Sequence, residues 1–328
     1  MKINLPLPAL LTSLFVVAVE RMPFDLGSFL PWRVGRPYRQ AAVAALGSPL
    51  LTVTHHSSPW KPAGVDLSDE ERGALRRTRQ HLLVSSTAPP SELPGGAQLA
   101  RATARALARG CGGLVIDPLT GASVLSCDRC PGEPTEFRLA DDWLGWDVQA
   151  HGDVVCPQSG PADAAACDCL RVTSKGLGRF ALPEITVGGA ACAHTLCATN
   201  LLRTVAQRLV ADQLAFVSAH PRAEVRAIDD HLRIEGADQT FGVRLTPCDT
   251  DPVELGGIRR LKVGPAPGTG RPACLKVGPA PGTGRPACLK VGPPSGFDGS
   301  VNDWLCATQQ AGAIPPTSTA RPRRLLAA

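Results

Sequence analysis

The residues best suited to chemistry are five cysteines in a loop-rich stretch in the middle of the chain. Cys127 and Cys130 form a C-x-x-C pair. Cys156 stands alone, and Cys167 and Cys169 form a C-x-C pair. Zinc takes four nitrogen or sulfur ligands in a tetrahedron, and a C-x-x-C knuckle supplies two of them from one turn. Because the second half is not another C-x-x-C, three interpretations stay open: a structural zinc site, disulfides among the loops, or thiols without a ligand. No other cofactor is expected.

A second group of residues could support hydrolysis. His55 and His56 follow a predicted strand, and Asp229, Asp230 and His231 form a run later in the chain. Carboxylates and imidazoles can transfer protons or bind a divalent metal. Adjacent residues of an extended chain point to opposite sides, so these groups need help from the fold to converge. The sequence contains no G-x-S-x-G, H-E-x-x-H, G-x-G-x-x-G or P-loop motif. It therefore leans against an enzyme and leaves two alternatives to a non-catalytic binding protein: a metal-dependent hydrolase, or an envelope protein stabilised by structural zinc or by disulfides.

Residues 261–290 hold a 14-residue unit, LKVGPAPGTGRPAC, written twice, with a third copy begun. Its GPAPGTGR segment resembles a phosphate-binding loop, but five residues rather than four separate Gly264 from Gly270. Arg271 stands in place of the phosphate-binding lysine, and Pro272 in place of the residue that holds magnesium. The pattern therefore predicts a surface loop lengthened by duplication. Closure entropy grows slowly with loop length, so we expect the fold to survive removal of both full units.

The positive charge of the chain is unevenly placed. The net charge is +5, yet the chain from Arg259 onward holds ten basic and two acidic residues, which leaves −3 for the first 258 residues. Proteins that bind nucleic acid usually concentrate positive charge on an ordered face with aromatic or groove-reading elements. The sequence shows no such face, so a nucleic-acid partner is not expected.

The N-terminal segment, residues 1–22, is apolar. Lys2 is followed by an uncharged run to Val19, which is long enough for a signal-peptide core and short for a membrane span. Val16 and Ala18 would satisfy the small-residue rule for cleavage. The alternative is a strand or helix packed into the core. The even number of cysteines, twelve, favours export or membrane anchoring over a cytoplasmic location. No second apolar run has membrane-spanning length, so multi-pass insertion is not expected.

A first structured block, an α/β domain, is expected over residues 37–150. Its clearest local signal is a capping box from Ser68 to Glu71, which should start a helix. Apolar and β-branched segments around that helix predict three strands, at residues 50–54, 81–86 and 113–117.

The block also contains a predicted helix at residues 97–109, which should end at glycines. Arg101, Arg105 and Arg109 are spaced four residues apart and project from one face of it. We expect that face to be the solvated outer one, with the alanines and leucines turned toward a sheet.

A second block is expected over residues 168–258, with a long amphipathic helix at residues 194–213 and a small antiparallel meander after it. Residues 291–311 should form a terminal strand or helix, and the tail at residues 312–328 is expected to be disordered. The whole pattern predicts an α+β fold of one or two domains, each with a mixed sheet covered by helices.

Four segments resemble bacterial proteins that are classed as domains of unknown function: HLLVSSTAPP, ARATARALARGCGGLVIDPLTG, RVTSKGLGRFALPEI and NLLRTVAQRLV. The resemblance covers about half of the chain and implies a fold family, with no activity and no functional residue. The sequence is best interpreted as a non-catalytic binding or interaction protein, whose partner would be another protein or a small molecule.

Overall fold

A computed structural model describes residues 1–22, 25–60, 65–124, 132–140, 142–150, 167–235, 240–248 and 286–311, and the backbone alone of residues 260–265 and 272–276. The fold is α+β, as predicted. The helices are α1 (Leu26–Arg33), α2 (Arg36–Ala45), α3 (Asp69–Arg77), α4 (Gly95–Cys111), α5 (Thr195–Ala219) and α6 (Val301–Gln310). The strands are β1 (Lys2–Pro6), β2 (Leu11–Val19), β3 (Thr52–His56), β4 (Gln80–Ala88), β5 (Gly113–Asp117), β6 (Ala122–Ser123), β7 (Gly145–Gln149), β8 (Leu170–Lys175), β9 (Glu184–Ala190), β10 (Val225–Asp229), β11 (His231–Glu235), β12 (Thr240–Cys248), β13 (Arg260–Pro265), β14 (Pro272–Lys276) and β15 (Cys288–Gly292).

The first sheet has five antiparallel strands in the order β3-β4-β2-β5-β6. Its central strand, β2, lies in the apolar N-terminal run and pairs with β4 along its whole length. Phe15, Val17 and Val19 are fully buried there because helix α4 packs across this face of the sheet. In the folded chain, the apolar N-terminal run therefore forms a strand that packs into the core, as the second of the two interpretations of this segment predicted.

Local signals place the helices of this layer. The Ser68 hydroxyl accepts a hydrogen bond from the Glu71 amide, and the Glu71 carboxylate accepts one from the Ser68 amide, which confirms the predicted capping box at the start of α3. Helix α4 ends where Gly112 takes a left-handed backbone, with φ of 62°. Helices α1 and α2 cover the side of α4 that faces away from the sheet. Helix α4 is therefore buried on both sides.

The second sheet is mixed and has six strands in the order β11-β12-β15-β9-β8-β7. Only the β15–β9 pair is parallel; the remaining neighbours in this sheet are antiparallel. Helix α5 packs on β8 and β9, and α6 packs on α5 and β9. The predicted antiparallel meander of three strands is found only in part. Strands β11 and β12 pair with each other, but β10 pairs with β1 from the N-terminus rather than with β11. One continuous apolar core runs through both sheets.

The repeat contributes more than a loop. Its last cysteine and the start of its third copy form β15, which lies between β12 and β9 inside the second sheet. A disulfide joins Cys288 to Cys248 on β12, with their Cα atoms 5.5 Å apart. The predicted repeat loop therefore ends before Cys288. Upstream, β13 and β14 pair with each other as a two-stranded sheet.

Candidate metal centre

Three cysteines converge at one end of the second sheet. The sulfur atoms of Cys167, Cys169 and Cys192 all lie within 4.8 Å of one another. Cys167 is buried, and the other two are half-buried. Among the described residues, no other group of three cysteine, histidine or acidic side chains comes this close together. We call these three residues the thiol cluster.

The antiparallel pairing of β8 with β9 builds the thiol cluster. Cys167 and Cys169 lie just before β8, and Cys192 lies just after β9. Leu170, the first residue of β8, pairs with Ala190, the last residue of β9. The start of one strand and the end of the other therefore meet at the same edge, and the cysteines beyond them meet as well.

The turn that carries Cys192 is held by hydrogen bonds on both sides. The Thr195 hydroxyl donates to the Cys192 carbonyl oxygen over 2.7 Å. The amide of Ala191 donates to the side-chain oxygen of Asn302, in the first turn of α6, over 2.9 Å. A second capping box, between Ser300 and Asp303, fixes the start of α6. The position of Cys192 thus depends on both α5 and α6.

The ligand chemistry of the thiol cluster suits a soft or borderline metal ion, because thiolates bind zinc and copper(I) far better than magnesium or calcium. The Cys167 and Cys169 sulfur atoms are 2.8 Å apart. This is longer than a disulfide bond of about 2.05 Å. It is shorter than the separation of about 3.8 Å between two thiolates on a tetrahedral zinc with bonds of about 2.3 Å. A bound zinc would therefore move these two sulfur atoms apart by about 1 Å.

Two further thiols lie on the neighbouring helices. Burial raises the pKa of Cys197 in α5, and the nearby thiol of Cys306 in α6 raises it further. Cys306 is exposed. Both thiols lie outside the group of three. The raised pKa of Cys197 favours its protonated form, which binds metals poorly.

Sequence reasoning found two members of the thiol cluster and missed the third. Cys167 and Cys169 were among the predicted zinc ligands, whereas Cys127, Cys130 and Cys156 lie outside the described residues. Cys192 was not predicted, since it follows Cys169 by 23 residues. The strands β8 and β9 lie between Cys169 and Cys192 and carried the missing signal, because pairing them as a hairpin brings their outer ends together.

The residues proposed for a metal-dependent hydrolase lie in different sheets. His55 and His56 are on β3 of the first sheet, while Asp229, Asp230 and His231 lie where β10 passes into β11. The His55 ring contacts the Gln80 side chain on β4, with Nε2 2.8 Å from Oε1.

His56 stacks on His81 of β4, with ring centroids 4.9 Å apart. Burial lowers the pKa of both His56 and His81. The two stacked rings are therefore held in their neutral form over a wider pH range than exposed histidines.

Asp230 and His231 do take part in a polar chain. His231 Nδ1 lies 3.1 Å from Asp230 Oδ1, and Nε2 lies 3.0 Å from the hydroxyl oxygen of Ser295. Asp230 is buried, and its pKa is lowered to about 2, chiefly by a hydrogen bond from the amino group of Met1. The carboxylate is thus charged at neutral pH and orients the imidazole toward an exposed serine.

The arginine face of α4 is solvated at Arg109 alone, so that prediction was wrong for Arg101 and Arg105. Arg101 is only 2% exposed and pairs with Glu133 over 2.8 Å, and Arg105 pairs with the same carboxylate over 3.1 Å. The Arg101 guanidinium also lies over the ring of Trp143, 3.8 Å from its centroid. The loop that supplies Glu133 lies far along the chain and covers this face. The charges of Arg101, Arg105 and Glu133 therefore neutralise one another inside the protein.

Comparison with protein-family models, with curated proteins and with solved structures finds no match to this chain. The resemblance to domains of unknown function therefore stays a prediction. None of the helices in the described ranges is both long enough and apolar enough to cross a lipid bilayer.

Proposed function

We propose that this protein is a non-catalytic zinc-binding protein that holds the ion with the thiol cluster. The observation that carries the proposal is the mutual approach of three cysteine sulfur atoms within 4.8 Å, from two segments that the β8–β9 pairing brings together. Such convergence of thiols from separate parts of a chain supplies three of the four ligands that a structural zinc site requires.

Zinc is the preferred ion for two reasons. Its tetrahedral sites take cysteine thiolates as ligands. It also has no redox chemistry, which suits a site that connects structural elements. A zinc ion here would tie the start of β8 to the turn before α5, and through the Ala191–Asn302 hydrogen bond to α6. The expected role is to order a binding surface for a protein or small-molecule partner.

The test is the metal content of the full chain, purified without a metal-affinity step. We expect one zinc ion per chain in the wild type and a loss of most of it in Cys192→Ser. Cys306→Ser is the matched control, because it removes an exposed thiol outside the cluster and should keep the zinc. A wild type without stoichiometric zinc, or a Cys192→Ser variant that retains it, would contradict the proposal.

A hydrolase is the second candidate, supported by the chain from Asp230 through His231 to Ser295. In this scheme the Ser295 oxygen attacks an ester carbonyl while its proton passes to His231 Nε2. The imidazolium then protonates the leaving alcohol, and water releases the acyl group by the same route. Labelling of Ser295 by a fluorophosphonate, absent in His231→Gln, is the expected result. Equal labelling of wild type and His231→Gln would contradict this candidate. Its failure leaves the zinc proposal untouched.

A further inference from the structure

Helices α1 and α2 form a surface with a single sign of charge. The sequence from residue 26 to residue 65 contains no aspartate or glutamate. Arg33, Arg36 and Arg39 are exposed along these two helices. The rest of the chain before residue 259 is acidic overall, so the positive charge of this segment sets it apart in the sequence.

The same surface exposes large apolar side chains. Trp32, at the end of α1, is 80% exposed, and Val43 in α2 is 49% exposed. Leu50, shortly after α2, is 45% exposed. The inner sides of the helices are buried through Leu30 and Ala42, which pack into the core. No element in the described ranges of the chain covers the outward side around Trp32 and Val43.

A groove of about 400 Å³ joins the two features. Pro31, Val43 and Ala44 line its apolar part. Arg36 and Arg39 also line it, mainly with the apolar part of their side chains, so their charged ends lie at its border. An apolar wall beside two cations fits a ligand that has a negative head and an apolar body.

We propose that the α1–α2 surface binds anionic phospholipid at a membrane surface, with the lipid phosphate on Arg36 and Arg39 and Trp32 inserted at the interface. Tryptophan and arginine are the residues that such interfaces favour, because each combines apolar area with a polar or charged tip. Helices that lie on a membrane have a basic face beside apolar side chains. The surface binds the bilayer from outside and needs no spanning helix.

The test is sedimentation of the full chain with vesicles at low ionic strength. We expect binding to phosphatidylglycerol vesicles and none to phosphatidylcholine vesicles. One basic residue near an anionic surface contributes about fivefold to binding, so Arg36→Ala with Arg39→Ala should weaken it about 30-fold. Both side chains are exposed, and Arg39 gives up one hydrogen bond, to the Val34 carbonyl oxygen, so the melting temperature of the variant, measured in parallel, should fall only slightly.

The matched control addresses the basic C-terminal region, which could attract the same vesicles. The double variant Arg323→Ala, Arg324→Ala removes two positive charges from the C-terminal region, as many as the α2 variant removes from α2. We expect this variant to bind within about twofold of the wild type. If the tail variant loses binding and the α2 variant keeps it, the assignment to the α1–α2 surface is wrong.

Trp32 gives a second readout. Its fluorescence should shift to the blue when phosphatidylglycerol vesicles are added, and the shift should disappear in Trp32→Phe. Inorganic phosphate should displace the vesicles no more than sodium chloride of the same ionic strength does, since the apolar contacts belong to the lipid. Displacement by phosphate beyond that of the chloride control would identify a free-phosphate site and overturn the lipid proposal. The proposal is equally overturned if an acidic amphipathic peptide binds while vesicles do not.

Discussion

Removal of one 14-residue unit of the repeat, residues 275–288, should leave the protein as stable as the full chain, whereas removal of both units should not. The strand β15 reads CLKVG, and residues 274–278 have the same five letters. Deleting residues 275–288 joins Cys274 to Leu289 and restores the whole strand, with a cysteine opposite Cys248. Deleting residues 261–288 instead places Arg260 at the position of Cys288.

The two deletions differ by several kcal/mol. In the first, the Cys–Cys separation falls from 40 to 26 residues, and the closure entropy changes by only about 0.4 kcal/mol. In the second, the disulfide is lost. For a loop of 40 residues, the chain-entropy model gives that disulfide about 4 kcal/mol. Cys288 is also fully buried, so the arginine placed there adds the cost of a buried charge. We therefore no longer expect the fold to survive removal of both units; we expect it to survive removal of one.

The assay is urea unfolding of the full chain and both deletions under non-reducing conditions, with peptide mapping of the disulfide. We expect a Cys248–Cys274 bridge in the single deletion and a loss of about 4 kcal/mol or more in the free energy of unfolding of the double deletion. Cys248→Ser in the full chain isolates the contribution of the bridge. Equal stability of the two deletions would refute the placement of β15 in the sheet.

Two further predictions concern buried groups. Burial lowers the pKa of His56 and His81, so below pH ~6.5 the unfolded chain binds more protons than the folded one. The contribution of the two neutral histidines to stability should be present above that pH and lost as the pH falls below it. The urea concentration at the unfolding midpoint should therefore fall between pH 7 and pH 5, and this fall should be smaller in His81→Gln. Glu133→Gln breaks buried ion pairs and should cost about 3–5 kcal/mol, whereas Glu136→Gln, in an exposed pair, should cost below ~1 kcal/mol. Equal costs in thermal unfolding would contradict the account of the α4 arginines.

Features with a local cause could be predicted from the sequence. The capping box at Ser68 and the glycine that ends α4 depend on residues a few positions apart, and both lie where expected. The apolar run at the N-terminus was ambiguous, because a continuous apolar segment suits a buried strand as well as a signal-peptide core.

Features that depend on distant partners could not be predicted. Their spacing places the three arginines of α4 on one face. Glu133, 32 residues after Arg101, pairs with Arg101 and Arg105 and buries that part of the face. The thiol cluster required the pairing of β8 with β9, which no single segment reveals. The parallel contact of β15 with β9 likewise joins residues about a hundred positions apart.

The most direct test of the zinc proposal is X-ray absorption at the zinc K-edge of the full chain and of Cys192→Ser. The proposal predicts a wild-type spectrum dominated by sulfur neighbours at about 2.3 Å, with at least three of them per zinc. It also predicts that Cys192→Ser loses the zinc or one sulfur neighbour. A first shell of oxygen and nitrogen alone, or an identical spectrum from Cys192→Ser, would contradict a zinc ion held by Cys167, Cys169 and Cys192.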